Sequence, residues 1–137
     1  MIELVVFFTR RKYKMRQGLE QLEVYQLAME IGELVWKYVA NWDHFAKSTV
    51  GNNFVRSADS IAYNISEGYG RHFFRDNKNF CFIARGSLSE TKTGAVKALN
   101  RNLISKDDYE SLIEKIEICY PKLNNYIAYI DRQINSQ

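Results

Sequence analysis

The sequence predicts an all-α fold, an antiparallel up-down-up-down four-helix bundle. Apolar residues recur at steps of three and four along four separate segments, which is the pattern of a helix packed on one face. The connections between the segments are short, so consecutive helices are expected to run antiparallel. A chain of 137 residues with one Pro and 46% hydrophobic residues also has the size and composition of a single globular domain.

The first helix is expected over residues 19–41, and the second begins at Ser48 or Thr49, either of which is a suitable N-cap. Residues 41–47 are then a loop. The second helix is expected to end near Gly68 and Gly70, which offer left-handed backbone conformations at a helix C-terminus. The inward residues are Val24, Leu27, Ala28, Ile31, Leu34, Val35 and Tyr38 in the first helix, and Phe54, Ala58, Ile61 and Ile65 in the second.

The third helix is expected to begin between residues 75 and 79 and to continue to about residue 102. Gly in a helix interior costs about 1 kcal/mol relative to Ala, so we expect Gly86 and Gly94 to be required by packing. Many of the inward side chains are small, which allows another helix to approach closely. The predicted inward residues are Phe80, Ile83, Ala84, Ser87, Leu88, Thr91, Ala95 and Ala98.

The fourth helix begins after Ser105, because Ser105 and the acids that follow it form a capping signal. Pro121 lies inside this helix, where it removes one amide and crowds the carbonyl four residues earlier. We therefore expect a kink over residues 117–121 or a division into two helices. The apolar seam consists of Tyr109, Leu112, Ile116, Cys119, Leu123, Tyr126 and Ile130.

The net charge of +3 hides an uneven distribution. Residues 50–101 hold eight basic side chains against four acidic ones, while residues 15–49 hold three against five and residues 102–137 hold four against six. A basic centre is thus flanked by acidic first and last segments. This basic centre, rather than the isoelectric point, indicates which class of partner the chain binds.

No residue spacing assembles a recognisable catalytic, cofactor or metal site. His44 and His72 are not preceded by Glu at the spacing that a di-iron bundle uses, and neither follows an Arg by four to six residues, as in the helical HEPN ribonucleases. Cys81 and Cys119 belong to helical apolar patterns and have no CxxC neighbour. With no export signal at the N-terminus, the thiols are expected to be buried in a reducing cytoplasm. The sequence predicts a protein without enzymatic activity and without cofactor.

Three segments together resemble a known family. They are LEVYQ at 22–26, SIAYNISEGYGR at 60–71 and FIARGSLSET at 82–91, and they resemble the four-helix-bundle proteins encoded within intervening sequences of 23S rRNA genes. The resemblance extends over residues 19–130. It implies a bacterial cytosolic bundle that forms a ring-like homo-oligomer, such as a pentamer. The related accessory protein of diversity-generating retroelements binds nucleic acid and a reverse transcriptase.

The start of the chain departs from the family pattern, because family members usually begin shortly before the LEVYQ-like segment. Here residues 1–14 precede Met15. We therefore expect residues 1–14 to be an extension with no role in the fold, and residues 15–137 to form the single domain.

The basic residues of the third helix fall in one stripe. Lys78, Arg85 and Lys92 are spaced by seven, nearly two helical turns, so they share a face. Arg75 lies three residues before Lys78, and Arg71 lies at the turn that leads in. Such a row is expected to follow a phosphate backbone along roughly 30 Å of helix. Aromatic residues near the turn that would stack on unpaired bases if exposed are Tyr69, Phe73 and Phe74. These residues predict RNA or DNA binding through Arg71, Arg75, Lys78, Arg85 and Lys92.

Two other interpretations of the same charges stay open. In the first, the cations form a solvated helix face with ion pairs to the acidic helices, which leaves a structural or protein-partner module with no nucleic-acid ligand. Alternatively, the positive middle helices of one subunit meet the acidic first and last helices of the next, and the charges serve assembly.

Overall fold

A computed structural model of the chain describes residues 18–136 and contains, within them, four long α-helices. They are α1 (Glu23–Ala40), α2 (Asn52–Tyr69), α3 (Phe74–Asn100) and α4 (Lys106–Asn135). Each packs against two others, in the cyclic order α1, α2, α3, α4. The predicted four-helix bundle is confirmed. The expected extension, residues 1–14, lies outside the described residues.

The core forms along the seams that the sequence indicated, with one clear exception. Phe54, Ile61, Ile31 and Ile116 are fully buried, as predicted. Ile83, predicted to face inward, is instead 51% exposed. The buried stripe of α3 is centred on Cys81, Ala84, Leu88 and Ala95, and Ile83 lies about 100° away from Ala84 around the helix.

The connection between α1 and α2 is mostly helical rather than a loop. A short α-helical turn (His44–Ala46) and a π-helical turn (Lys47–Gly51) run directly into α2. Asp43 is the N-cap, because its side chain accepts a hydrogen bond of 2.9 Å from the amide of Ala46. The predicted N-caps are wrong, since the hydroxyls of Ser48 and Thr49 both donate back to the carbonyl of Phe45.

Gly68, near the α2–α3 turn, serves packing, and neither it nor Gly70 adopts a left-handed backbone conformation. Gly70 has a φ of −78°, so the predicted left-handed cap is wrong. A Cβ at Gly68 would lie 2.6 Å from the Asn77 side chain, which shows that α3 approaches α2 closely there. Gly94 is likewise required by packing, as predicted, but a Cβ at Gly86 would meet nothing within 4 Å. The packing role predicted for Gly86 is therefore wrong within the single chain.

The last helix is continuous through Pro121. Its start is as predicted, because Ser105 accepts a hydrogen bond of 3.1 Å from the amide of Asp108. The expected division into two helices does not occur. Pro121 lies on the exposed side of α4, where water can reach the carbonyl that loses its partner, while buried residues before and after it, Ile116 and Leu123, hold one helix against the core.

Over residues 18–136, no helix is both long enough and apolar enough to cross a bilayer.

Candidate nucleic-acid interface

The predicted basic stripe of α3 lies beside a matching row on α4. Lys78 forms an ion pair of 2.5 Å with Asp131, and Lys92 forms one of 2.6 Å with Glu117. Between them, Arg85 donates a hydrogen bond of 3.0 Å to the Asn124 side chain. Successive residues in each row are seven positions apart, and residue numbers rise along α3 where they fall along α4. Two antiparallel helices in constant register have this arrangement. We call these three contacts the α3–α4 ladder.

The ladder compensates part of the positive charge of the α3 stripe, which the sequence predicts to bind nucleic acid. The hydrogen bond and charge of Glu117 raise the pKa of Lys92, which therefore stays protonated. Side chains in the two ion pairs remain between 31% and 50% exposed. Exposed pairs of this kind are weak and are screened by salt, so a phosphate can compete for the cations. Arg85 faces a neutral amide, so no carboxylate of the ladder compensates its charge.

Two further ion pairs join the other side of α4 to α1. Lys115 pairs with Glu30 at 3.1 Å, and Lys122 pairs with Glu23, again at a seven-residue step in opposite directions. The acidic side chains of α1 that face α4 are thus matched within the chain, as are those of α4 that face α3. Two cations of the basic centre, Lys78 and Lys92, are thus paired with carboxylates of the last segment within the chain.

The α2–α3 turn gathers cations and aromatic rings at one end of the bundle. Arg71 pairs with Glu67 at 2.8 Å, and its guanidinium lies 4.8 Å from the centre of the Phe80 ring. The His72 ring stands edge-on to the Phe73 ring at 4.6 Å. Arg75 is exposed and has no ion pair within the part of the chain that the structure describes.

A cavity of about 540 Å³ opens beside this turn, and we call it the turn pocket. Arg71, His72 and Asn77 contribute polar atoms to its lining. Its aromatic lining comes from the end of α2, the turn, the start of α3 and the second half of α4, and consists of Tyr69, Phe73, Phe74, Tyr126 and Tyr129. The Phe73 side chain is 64% exposed, so an incoming ring can reach it.

Hydrogen bonding orders the α4 side of the turn pocket. Asn77, which is 6% exposed, donates a hydrogen bond of 3.2 Å to the hydroxyl oxygen of Tyr126. Burial raises the pKa of Tyr126, so this hydroxyl is neutral at physiological pH. The rings of Tyr126 and Tyr129 are nearly parallel, with centres 6.4 Å apart. The pocket therefore combines neutral aromatic walls with the Arg71 cation of the α2–α3 turn.

The five predicted residues do not form one site. Arg71 lines the turn pocket, while Arg75 and Lys78 line an adjoining recess of about 360 Å³ that also contains Phe82 and Asp131. Arg85 and Lys92 belong to the ladder, and Lys92 lies 17 residues beyond Arg75, or about 25 Å along the helix axis. The structure brings Arg75 and Lys78 together in one recess, and Lys78 and Arg85 both lie over the Phe82 ring, whereas Arg71 lines a different cavity.

Sequence reasoning missed the contribution of α4 to the turn pocket. The apolar period places Tyr126 in the seam of α4 and gives Tyr129 no role in a site. Their spacing of three on a helix was a signal that they lie side by side, but only the antiparallel packing of α4 places them beside the α2–α3 turn.

The described residues offer little to support metal or thiol chemistry. They contain no group of three or more His, Cys, Asp or Glu residues arranged to hold a metal ion. Both cysteines are buried, as predicted, and burial raises the pKa of each thiol to about 12. The thiolate, which is the reactive form, is therefore scarce at neutral pH.

Comparison with known proteins gives the family but no activity. No curated protein matches the chain. A solved structure of a protein of unknown function, from the S23 ribosomal protein family of Bacteroides thetaiotaomicron VPI-5482, aligns with a TM-score of 0.68 at 21% identity and covers 76% of this chain and 97% of its own. At that identity it supports the fold alone. Residues 20–125 match the family described as 23S rRNA-intervening sequence protein. The chain belongs to the family of 23S rRNA-intervening sequence proteins.

Proposed function

We propose that this chain is a non-enzymatic cytoplasmic protein that binds nucleic acid at the turn pocket. The observation that carries the proposal is the meeting of five aromatic side chains with Arg71 and His72 around one open cavity, with Arg75 in the adjoining recess. Aromatic faces stack on bases of any sequence, and nearby cations hold the phosphates. Single-stranded or looped nucleic acid fits such a site, because its bases are free to leave the helix stack.

The residues fall into distinct roles under this proposal. Phe73 and Tyr129, which are 64% and 46% exposed, supply stacking surfaces. Arg75, which has no ion pair among the described residues, is the first phosphate contact, and Arg71 is the second. Lys78, Arg85 and Lys92 extend the cationic path along α3, with Lys78 and Lys92 weakened by their carboxylate partners.

RNA is the first ligand to test because the family is described by an intervening sequence of 23S rRNA. The alternative, a structural or protein-partner module with no nucleic-acid ligand, is favoured by one observation, the α3–α4 ladder, since it gives three of the predicted cations a role within the fold.

The test is fluorescence anisotropy of the full chain with labelled single-stranded RNA, stem-loop RNA, single-stranded DNA and duplex DNA at several salt concentrations. Phosphate contacts predict that the logarithm of the affinity falls linearly with the logarithm of the salt concentration. We expect tighter binding to the single-stranded and stem-loop ligands than to duplex DNA. Absence of binding to all four at low salt would contradict the proposal and leave the protein-partner module.

A further inference from the structure

The seam between α1 and α2 contains a recess of about 280 Å³, which we call the α1–α2 recess. Small buried residues form its floor, namely Ala28, Gly32 and Ala62. Larger side chains that are only partly buried or exposed form its walls, namely Tyr25, Met29 and Tyr63. The recess exists because the two helices meet through small residues while the side chains at its edges are long.

The α1–α2 recess follows the seam for about two helical turns. Gly32 of α1 faces Asp59 of α2, because a Cβ at Gly32 would lie 2.9 Å from an oxygen of the Asp59 carboxylate. Tyr25 precedes Gly32 by seven residues, and Ser66 follows Asp59 by the same number. The two helices are antiparallel, so Tyr25 and Ser66 face each other at the opposite end. Seven residues rise about 10 Å along a helix axis, so an extended aliphatic chain fits the recess.

Two carboxylates without a matching cation lie at the Gly32 end of the recess. Glu33 and Asp59 both line it, and neither forms an ion pair within residues 18–136. Lys37 and Arg56 are each about one helical turn away, but they do not pair with these carboxylates. Burial, followed by the charge of Glu33, raises the pKa of Asp59. A cation bound at this end would therefore relieve an existing repulsion.

A third carboxylate lies near the Tyr25 end of the recess. The Glu20 side chain is 8% exposed, and its Oε2 atom has no hydrogen-bond partner among the described residues. Burial raises the pKa of Tyr25, and the charge of Glu20 raises it further, which places this carboxylate close to the Tyr25 side chain. A buried carboxylate is costly unless a cation pairs with it. Negative charge is thus unmatched at both ends of the recess.

We propose that the α1–α2 recess binds a linear aliphatic polyamine. One ammonium group lies between Glu33 and Asp59, and another is directed toward Glu20. The alkyl chain between them lies on the small floor residues, and the rings of the walls attract the cations through their faces. A metal ion fits less well, since the described residues contain no group of three or more His, Cys, Asp or Glu residues arranged to hold one.

The proposal does not depend on the nucleic-acid function, because the residues that line the α1–α2 recess do not line the turn pocket. Its test is isothermal titration calorimetry of the full chain with spermidine, a linear triamine, at low salt and without nucleic acid. We expect saturable binding of one spermidine per chain. Failure of RNA binding would leave this expectation unchanged.

Asp59→Asn removes a carboxylate that burial disfavours, so we expect the variant to keep the fold. Its affinity for spermidine should fall roughly tenfold, because a hydrogen bond to a charged group is lost. The matched control is Glu114→Gln, which removes one exposed carboxylate from α4 and should leave the affinity unchanged. Equal losses in the two variants would overturn the proposal. Helical circular dichroism of both variants shows whether they are folded.

The position of the bound triamine is tested at the walls of the recess. Tyr63 is 73% exposed, so Tyr63→Ala should keep the fold while it lowers the affinity about threefold through the loss of a cation–π contact. Met29 is the single methionine of residues 18–136, and its methyl signal in nuclear magnetic resonance should shift when spermidine binds. A Met29 signal that does not move at saturation would place the ligand elsewhere and overturn the proposal.

Two further probes test the chemical class of the ligand. Mg²⁺ supplies positive charge without an alkyl chain, and a trilysine peptide presents the same ammonium groups on a polypeptide. We expect both to bind more weakly than spermidine. No saturable binding of spermidine, or binding of Mg²⁺ or the peptide that is equally tight or tighter, would contradict a site for a free polyamine.

Discussion

The ring of Phe54 in α2 occupies the space where a side chain at Gly94 of α3 would begin. A Cβ at residue 94 would lie 2.6 Å from the Phe54 Cδ1 atom, and Phe54 itself is 2% exposed. The contact fixes the closest approach of the two helices near the end of the bundle opposite the turn pocket. It also explains an interior glycine that helix propensity alone disfavours.

Gly94→Ala is therefore predicted to destabilise the chain. Alanine gains about 1 kcal/mol of helix propensity, but the buried ring must move, and overpacking of a core costs about 1–3 kcal/mol. We expect a net loss of stability in urea unfolding followed by circular dichroism. Gly86→Ala is the matched control, since it meets no atoms and should gain up to about 1 kcal/mol. Equal gains from both substitutions would contradict the packing role of Gly94.

Removing the carboxylates of the α3–α4 ladder is predicted to strengthen nucleic-acid binding. In the double variant Glu117→Gln and Asp131→Asn, Lys92 and Lys78 lose their partners and become available to phosphates. We expect higher affinity for RNA and a steeper salt dependence, by about 0.7 in the logarithmic slope for each single-strand phosphate gained. The control is Glu110→Gln together with Glu114→Gln, which makes the same change in net charge elsewhere on α4. Equal gains from both pairs would mean that only net charge matters.

The period of apolar residues was enough to predict four helices and most of the core, because a helix that buries one face needs apolar residues at steps of three and four. It was not enough to predict features that depend on contacts between residues, such as which apolar side chain is exposed and which side chain caps a helix. Ile83 is apolar but lies outside the buried stripe, and Asp43 replaced Ser48 and Thr49 as the cap because their hydroxyls bond backward within the turn.

The sequence predicted the cations of the candidate site but not the residues of α4 that lie beside them. The stripe of cations follows from spacing within one helix, but its partners on α4 are identified only when the register between two helices is known. For the same reason, Tyr126 and Tyr129 join the turn pocket across more than 50 residues of sequence, a separation that no local pattern encodes.

Truncation of an exposed ring in the turn pocket is predicted to weaken RNA binding without unfolding the chain. Phe73→Ala removes one stacking surface, and stacking contributes about 1–3 kcal/mol per base, or roughly 5- to 150-fold in affinity. Phe45→Ala is the control, because Phe45 is 76% exposed and lies in the turn before α2. The comparison uses anisotropy at constant salt. An equal effect of the two substitutions would exclude Phe73 as a specific contact.

The buried thiols predict a loss of stability at alkaline pH. The pKa of Cys81 and Cys119 rises from 9.0 to about 12 on folding, so the unfolded chain releases these protons first. Stability is therefore unaffected by the thiols below pH 9 and falls between pH 9 and 12. The measurement is the urea midpoint as a function of pH, compared with a Cys81→Ala variant, whose midpoint should fall less steeply. Identical slopes would contradict the burial of Cys81 as the cause.

The most direct measurement of the central claim compares Arg75→Gln with Arg56→Gln in RNA binding over a series of salt concentrations. Both residues are exposed arginines on helices and both substitutions remove one charge, but only Arg75 lies beside the turn pocket. We predict that Arg75→Gln lowers the affinity and reduces the logarithmic salt slope by about 0.7, while Arg56→Gln leaves both near the wild-type values. Equal effects of the two substitutions, or none from Arg75→Gln, would contradict binding at this end of the bundle.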